Sequence, residues 1–151
     1  MFSSLTSIDS GIPHELLDIR TFPNLRVFSL DIAYYVCETA PHLNVLPILL
    51  DQLRRVTSDS NLEEFKLCAE YGPPPSDIHV VDDNWLGRFC RLPFWQELDS
   101  ILTHPQFSKL RRVDVLFEGT DDDDREPGLH NLRKHIPGLV NKKIVFFEFI
   151  A

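Results

Sequence analysis

The chain has 151 residues, of which 43% are apolar and 25% charged, and it carries a formal net charge of −8. That length suits one domain with a real core, and that composition suits a globular protein rather than a disordered one. The acidic balance argues against nucleic acid, whose affinity comes mainly from neutralised phosphates.

Several other classes fall away quickly. Basic pairs such as Arg54-Arg55 and Lys142-Lys143 stand isolated. No run approaches the roughly 20 apolar residues that span a bilayer. The opening Met1-Phe2-Ser3-Ser4-Leu5 lacks the basic and apolar segments of a secretory signal. Cys37, Cys68 and Cys90 are far apart and form no CxxC pair, so neither a disulfide framework nor a zinc ribbon is indicated. A cytoplasmic or nuclear setting is expected.

In chain order, a short echo, Phe2-Ser-Ser-Leu5-Thr-Ser-Ile8, comes first. The full phrase follows as Phe22-Pro-Asn-Leu25-Arg-Val-Phe28-Ser-Leu30-Asp-Ile32. Its form is apolar-x-x-apolar-x-apolar. Leu25 packs the turn into a strand, and Phe28, Leu30 and Ile32 share one face because strand side chains alternate. Leu46, Leu49, Leu50, Leu53 and Val56 then recur at helical spacing, which predicts a helix within 41–58 whose regular part starts near Pro47.

The phrase returns as Asn61-Leu62-Glu-Glu-Phe65-Lys-Leu67. A stiff Pro-rich loop over 71–84 comes next, carrying three consecutive prolines. The aromatic group Trp85, Phe89, Phe94 and Trp95 fills a core beneath that loop; a ligand pocket near Trp85 and Trp95 is the alternative. Trp95, Leu98, Ile101 and Leu102 mark a second helix from Phe94 to Thr103, closed by Pro105. The third phrase is Phe107-Ser-Lys-Leu110-Arg-Arg-Val113-Asp-Val115-Leu-Phe117.

Asp121 to Asp124 read as a solvated acidic loop over 118–126, since consecutive like charges repel and calcium loops space their oxygens alternately. A third helix is expected over 129–136, stopped by Pro137-Gly138. The alternation Ile144-Val-Phe146-Phe147-Glu-Phe149 closes the sequence as a last strand.

Strands alternating with helices imply an α/β fold with parallel pairing. Recurrence of one strand phrase favours an irregular leucine-rich-repeat-like solenoid over 1–151, strands on one face and helices on the other, rather than a doubly wound sheet. No catalytic, phosphate-cradling or metal-ligating motif occurs: GxSxG, GxGxxG, a Walker loop and HExxH are all missing. His130 and His135 lack metal-pair spacing, and Cys68 has no His/Asp signature beside it. The expectation is a non-enzyme without cofactor or metal. Its binding surface would be the solvent-facing strand positions Ser29, Asp31, Lys66, Cys68, Asp114 and Leu116, whose mixed charge suits a protein partner.

The phrase at 22–32 and the run Leu98-Asp-Ser-Ile-Leu-Thr-His-Pro-Gln-Phe-Ser-Lys-Leu-Arg-Arg-Val-Asp-Val115 resemble the degenerate leucine-rich repeats behind the F-box of many mushroom-type fungal proteins. Gly138-Leu-Val-Asn-Lys-Lys-Ile-Val145 is similar to their C-terminal end. The resemblance covers roughly residues 20–150. It implies substrate selection for a cullin ubiquitin ligase. No F-box-like segment precedes the repeats, so the chain is expected to match the C-terminal part of such a protein or a truncated copy. A repeat stack without a polar cap exposes apolar side chains, so self-association through the N-terminal edge is also expected.

Overall fold

The structure is a computed structural model and describes residues 4–9, 24–56, 59–72 and 84–150. Phe2 of the opening echo, Phe22 of the first phrase and residues 73–83 of the Pro-rich stretch lie outside the described residues. The fold is mixed α/β. Five strands, β1 (Ser4–Asp9), β2 (Val27–Ala33), β3 (Glu64–Glu70), β4 (Arg112–Glu118) and β5 (Val145–Ile150), form one sheet. They pair in sequence order, and every pair is parallel.

The register explains why the phrase recurs. Phe28 pairs with Phe65, Phe65 with Val113, and Val113 with Val145. Leu30, Leu67, Val115 and Phe147 form the next row, followed by Ile32, Ala69, Phe117 and Phe149. In β2 to β4 all nine of these side chains are buried, as are the turn residues Leu25, Leu62 and Leu110. One apolar row per alternate position is what period two requires when a single face is covered. The pairing of β2, β3 and β4 runs without a slip, whereas β1 shifts register between Leu5 and Ile8.

The described helices cover that buried face. They are α1 (Tyr34–Thr39), α2 (Leu46–Arg54), α3 (Trp85–Cys90), α4 (Phe94–Leu102), α5 (Asp122–His135) and α6 (Pro137–Asn141), with 3₁₀ turns at Pro41–Leu43 and Pro105–Phe107. Leu49, Leu53, Phe89, Leu98, Leu102 and Leu132 from these helices join the inward strand residues in one core.

Helix boundaries depart from the sequence expectation in three places. The helix expected within 41–58 divides into the 3₁₀ turn and α2. The Asn44 side chain accepts the Leu46 N–H at 3.1 Å, and Pro47 occupies the first turn, where it sacrifices no bond.

The acidic loop expected over 118–126 is a strand end, a turn at Gly119 with φ +70° and the opening of α5. Asp122, Asp123 and Asp124 lie in the first helical turn, where carboxylates oppose the positive end of the helix dipole. Arg125 adds an ion pair to Asp122 at 2.9 Å. The helix passes through Pro127, which forgoes one intrahelical hydrogen bond.

Pro137-Gly138, expected as a stop, instead starts α6, with the proline at a first-turn position. A buried carboxylate sets it there. Asp99 of α4 accepts the Leu139 N–H at 2.7 Å and the Gly138 N–H at 3.1 Å. A β-carbon on Gly138 would come within 2.9 Å of the Thr103 methyl carbon and 3.1 Å of an Asp99 oxygen, so only glycine allows so close an approach.

Candidate functional site

The inward face of the sheet is filled, so function has to be sought on the outward face, at the ends of the strands or among the helices. The outward residues fall into rows set by the same register. Ser29 pairs with Lys66 and Lys66 with Asp114; Asp31 pairs with Cys68 and Cys68 with Leu116. The six positions expected to form a surface therefore make two adjacent rows of three across β2, β3 and β4. The fourth column, on β5, adds Phe146 beside Asp114 and Glu148 beside Leu116.

One of the six differs from expectation. Leu116 was expected to face solvent, yet it is only 8% exposed. Its strand is flanked on both sides, with Cys68 and Glu148 in its own row and Phe146 and Ile150 on the diagonals. Cross-strand and diagonal neighbours on one face lie within side-chain reach. Lys66 and Asp31 are exposed, and Ser29, Cys68 and Asp114 are intermediate.

The electrostatics of the face vary along the strands. Arg112 donates from Nε to both Asp114 oxygens, at 3.0 and 2.9 Å, and the Asp114 carboxylate holds its guanidinium above the ordinary pKa. The same guanidinium lies 4.6 Å from the centre of the Phe146 ring. Phe146 is 45% exposed, the one exposed large hydrophobic side chain among the described residues. Burial first, then the carboxylates of Asp31, Glu118 and Glu70, push the Cys68 thiol pKa up. A thiol so shifted is protonated at neutral pH and a poor nucleophile.

A second polar feature lies where the strands begin. Arg26, Glu63 and Arg111 make a ladder in which Arg26 bonds Glu63, and Arg111 reaches Glu63 at 3.7 Å and Glu64 at 3.3 Å. Lys109 Nζ donates to the Asn61 side chain at 2.6 Å. Asn24, Arg26, Asn61, Glu63 and Lys109 line an open hollow of about 390 Å³. The charges of Arg26, Glu63 and Arg111 pair with one another at the surface, across the segments that lead into β2, β3 and β4.

The aromatic group is packing. Trp85, Phe89, Phe94 and Trp95 are all buried. Phe89 meets Trp95 edge-on at 5.4 Å and Tyr34 at 5.0 Å, and Trp95 Nε1 donates to the Phe89 carbonyl at 2.8 Å. Among the described residues no group of three or more His, Cys, Asp or Glu side chains is placed to hold a metal ion, and no helix is long and apolar enough to cross a membrane.

Two neighbours of the expected surface escaped sequence reasoning. Phe146 was read only as part of an alternation, although its parity assigns it to the outward face with Asp114. Glu148 has the same parity and went unnoticed for the same reason. Extending the two rows by one strand would have found both. No family model, no curated protein and no solved structure matches the chain.

Proposed function

We propose that this chain is a non-catalytic protein-interaction module, an irregular leucine-rich-repeat-like stack that binds its partner on the outward face of the sheet. The observation that carries the reading is the row geometry. Ser29, Lys66 and Asp114 lie in one row with Asp31 and Cys68 in the next, and none of these five belongs to the core that the helices cover. Strand pairing in sequence order and the unslipped register of β2 to β4 support a repeat stack, because a doubly wound sheet would interleave its strands. The likeness of the strand phrases to repeats behind an F-box supports a role in reading substrates for a ubiquitin ligase.

Site-specific photo-crosslinking in the native cells tests the surface. A photoreactive amino acid in place of Lys66 should give discrete adducts, and one in place of Gln96, exposed on the helical side, should not. Asp31→Lys and Asp114→Lys should remove the adducts without changing the thermal midpoint by more than a few degrees. Adducts from Gln96 alone, or adducts indifferent to both reversals, would sink this surface. The ligase role has its own check: cullin and adaptor subunits should copurify with the native protein, and their absence would remove that part of the reading.

A further inference from the structure

The last described strand of the sheet, β5, has one neighbour, and its other edge is built to take a second. The carbonyls of Ile144 and Ile150 accept from Val113 and Gly119, on the β4 side. Backbone groups alternate along a strand, so those of Val145, Phe147 and Phe149 aim at the opposite edge, where no described strand pairs. Natural edges are commonly blunted by lysine, proline or a bulge. β5 has none of these: it reads Val-Phe-Phe-Glu-Phe-Ile and keeps its register with β4 throughout. The edge strand β1 shifts register between Leu5 and Ile8 and offers a poorer template.

The helix beside that edge, α5, changes sign along its length. Gly128 packs it against α3, where a β-carbon would meet Leu86 at 3.3 Å and the Cys90 sulfur at 3.5 Å. At roughly 100° per residue, Asp122, Glu126 and Arg133 fall on the side away from α3. The Arg133 guanidinium accordingly reaches the Phe147 ring on β5. Exposed Asp122, Asp123 and Glu126 make the first half of α5 acidic, and exposed Arg133 and Lys134 make its last turn basic. Such a helix complements a copy of itself that runs the opposite way.

We infer that two copies of this chain pair through β5, antiparallel about a twofold axis at Phe147. Only that register gives all three edge residues a partner within the strand. Val145 meets the second copy's Phe149, Phe147 meets its own counterpart, and each pair exchanges two hydrogen bonds. The same register sets Phe146 opposite the second copy's Glu148 and keeps the two Glu148 carboxylates apart. The Arg112 guanidinium already lies over the Phe146 ring, so the incoming Glu148 arrives beside a cation. Above the sheet, the antiparallel α5 helices bring Glu126 of each copy toward Arg133 and Lys134 of the other. An isologous contact of this kind closes at two copies. It leaves the outward positions on β2, β3 and β4 uncovered.

Sedimentation equilibrium of the full chain tests this, and the mass should rise with concentration to twice the 17.5 kDa of one copy. Glu126→Lys should weaken the dimer about tenfold, and adding Lys134→Glu to it should restore the affinity. Asp51→Lys, at an exposed position of α2, changes net charge equally and should leave the affinity within about twofold. Oxidation reads the register. The double variant Phe146→Cys, Glu148→Cys should form a disulfide-linked dimer, because directly opposed β-carbons lie about 4.5–5.5 Å apart. Neither single variant should do so, nor should the parent chain. Circular dichroism confirms that each variant is folded. A monomer at every concentration would overturn the inference. So would a mass that keeps growing, since head-to-tail pairing of β5 with β1 builds open filaments. Equal losses from Glu126→Lys and Asp51→Lys, or cross-linking of either single variant alone, would likewise overturn it.

Discussion

The guanidinium of Arg125, on α5, lies 5.0 Å from the centre of the Phe149 ring on β5. Arg133, two helical turns further along, stands 5.4 Å from Phe147 in the same way. Both rings point inward from the last strand of the sheet and are only half-buried, and Phe149 also stacks on Phe117 at 5.3 Å. The arginines therefore cover aromatic surface that elsewhere in the sheet is covered by apolar helix residues. An exposed cation–aromatic contact contributes roughly 0.5–1 kcal/mol. Arg125→Ala and Arg133→Ala should each lower stability by about that much, and Arg125→Ala somewhat more because its Nε also donates to Thr120 Oγ1 at 3.1 Å. Urea midpoints of the two single variants and the double variant check this. No change in any of the three would mean the contacts are energetically empty.

Asp99 should prove the most costly polar residue to remove. Its carboxylate is buried and accepts two backbone N–H groups at the start of α6. Charge-assisted bonds of this kind are worth about 1.5–3 kcal/mol, and their loss strands one buried and one part-buried donor. Asp99→Ala should cost about 3 kcal/mol, and Asp99→Asn less, because one acceptor oxygen remains. Gly138→Ala should also destabilise, by forcing α6 away from Thr103. Chemical denaturation of the three variants gives the order, and an Asp99→Ala loss below about 0.5 kcal/mol would refute the tie.

Gln52 points the other way. It is 9% exposed, and among the described residues its side-chain oxygen meets no hydrogen-bond donor. An unmade bond of a buried polar group costs about 1–3 kcal/mol, so replacing it with an apolar side chain of similar size recovers part of that. Gln52→Leu should raise the melting temperature by a few degrees, and a lowered one would show that the oxygen has a donor.

Alkaline pH should weaken the fold from about pH 9 upward. Burial raises the Cys90 thiol from its ordinary 9.0 to about 12, and burial together with Glu38 raises the Tyr34 hydroxyl from 10.0 to about 12. Between those values the unfolded chain has lost protons that the folded chain keeps. Raising the pH therefore favours unfolding, by about 1.4 kcal/mol per pH unit for each group involved. The stability is intact below pH 9 and disappears progressively as pH climbs toward 12. Urea midpoints from pH 8 to 11 should fall, and Cys90→Ala should make the decline shallower. A flat profile in the parent protein would contradict the burial argument.

Period-two alternation made the inward rows readable. Phe28, Leu30 and Ile32, with their counterparts in β3 and β4, could be placed on one face from spacing alone, because a strand has only two faces to choose between. The same parity put Ser29, Lys66 and Asp114 on the opposite face, while the backbone register sets them in one row. Length defeated the shorter helices: α1 and α3 have 6 residues each, too few for a helical stripe to stand out. Asp121 to Asp124 misled because a charge run looks solvated, and solvation is also what the first turn of a helix offers. The pairs that close the structure, Asp99 with Gly138 and Arg133 with Phe147, join residues whose mutual position depends on the packed helices. Nothing in local spacing announces them.

The connections between β2 and β3 and between β3 and β4 differ in length, yet both strand pairs meet without a slip. Each strand thus carries its outward residues as an independent column, indexed to its neighbours by backbone bonding rather than by the chain that links them. The outward face is consequently a grid in which each strand supplies one column. A substitution on β3 therefore changes one column, while β2 and β4 continue to hold that strand in place.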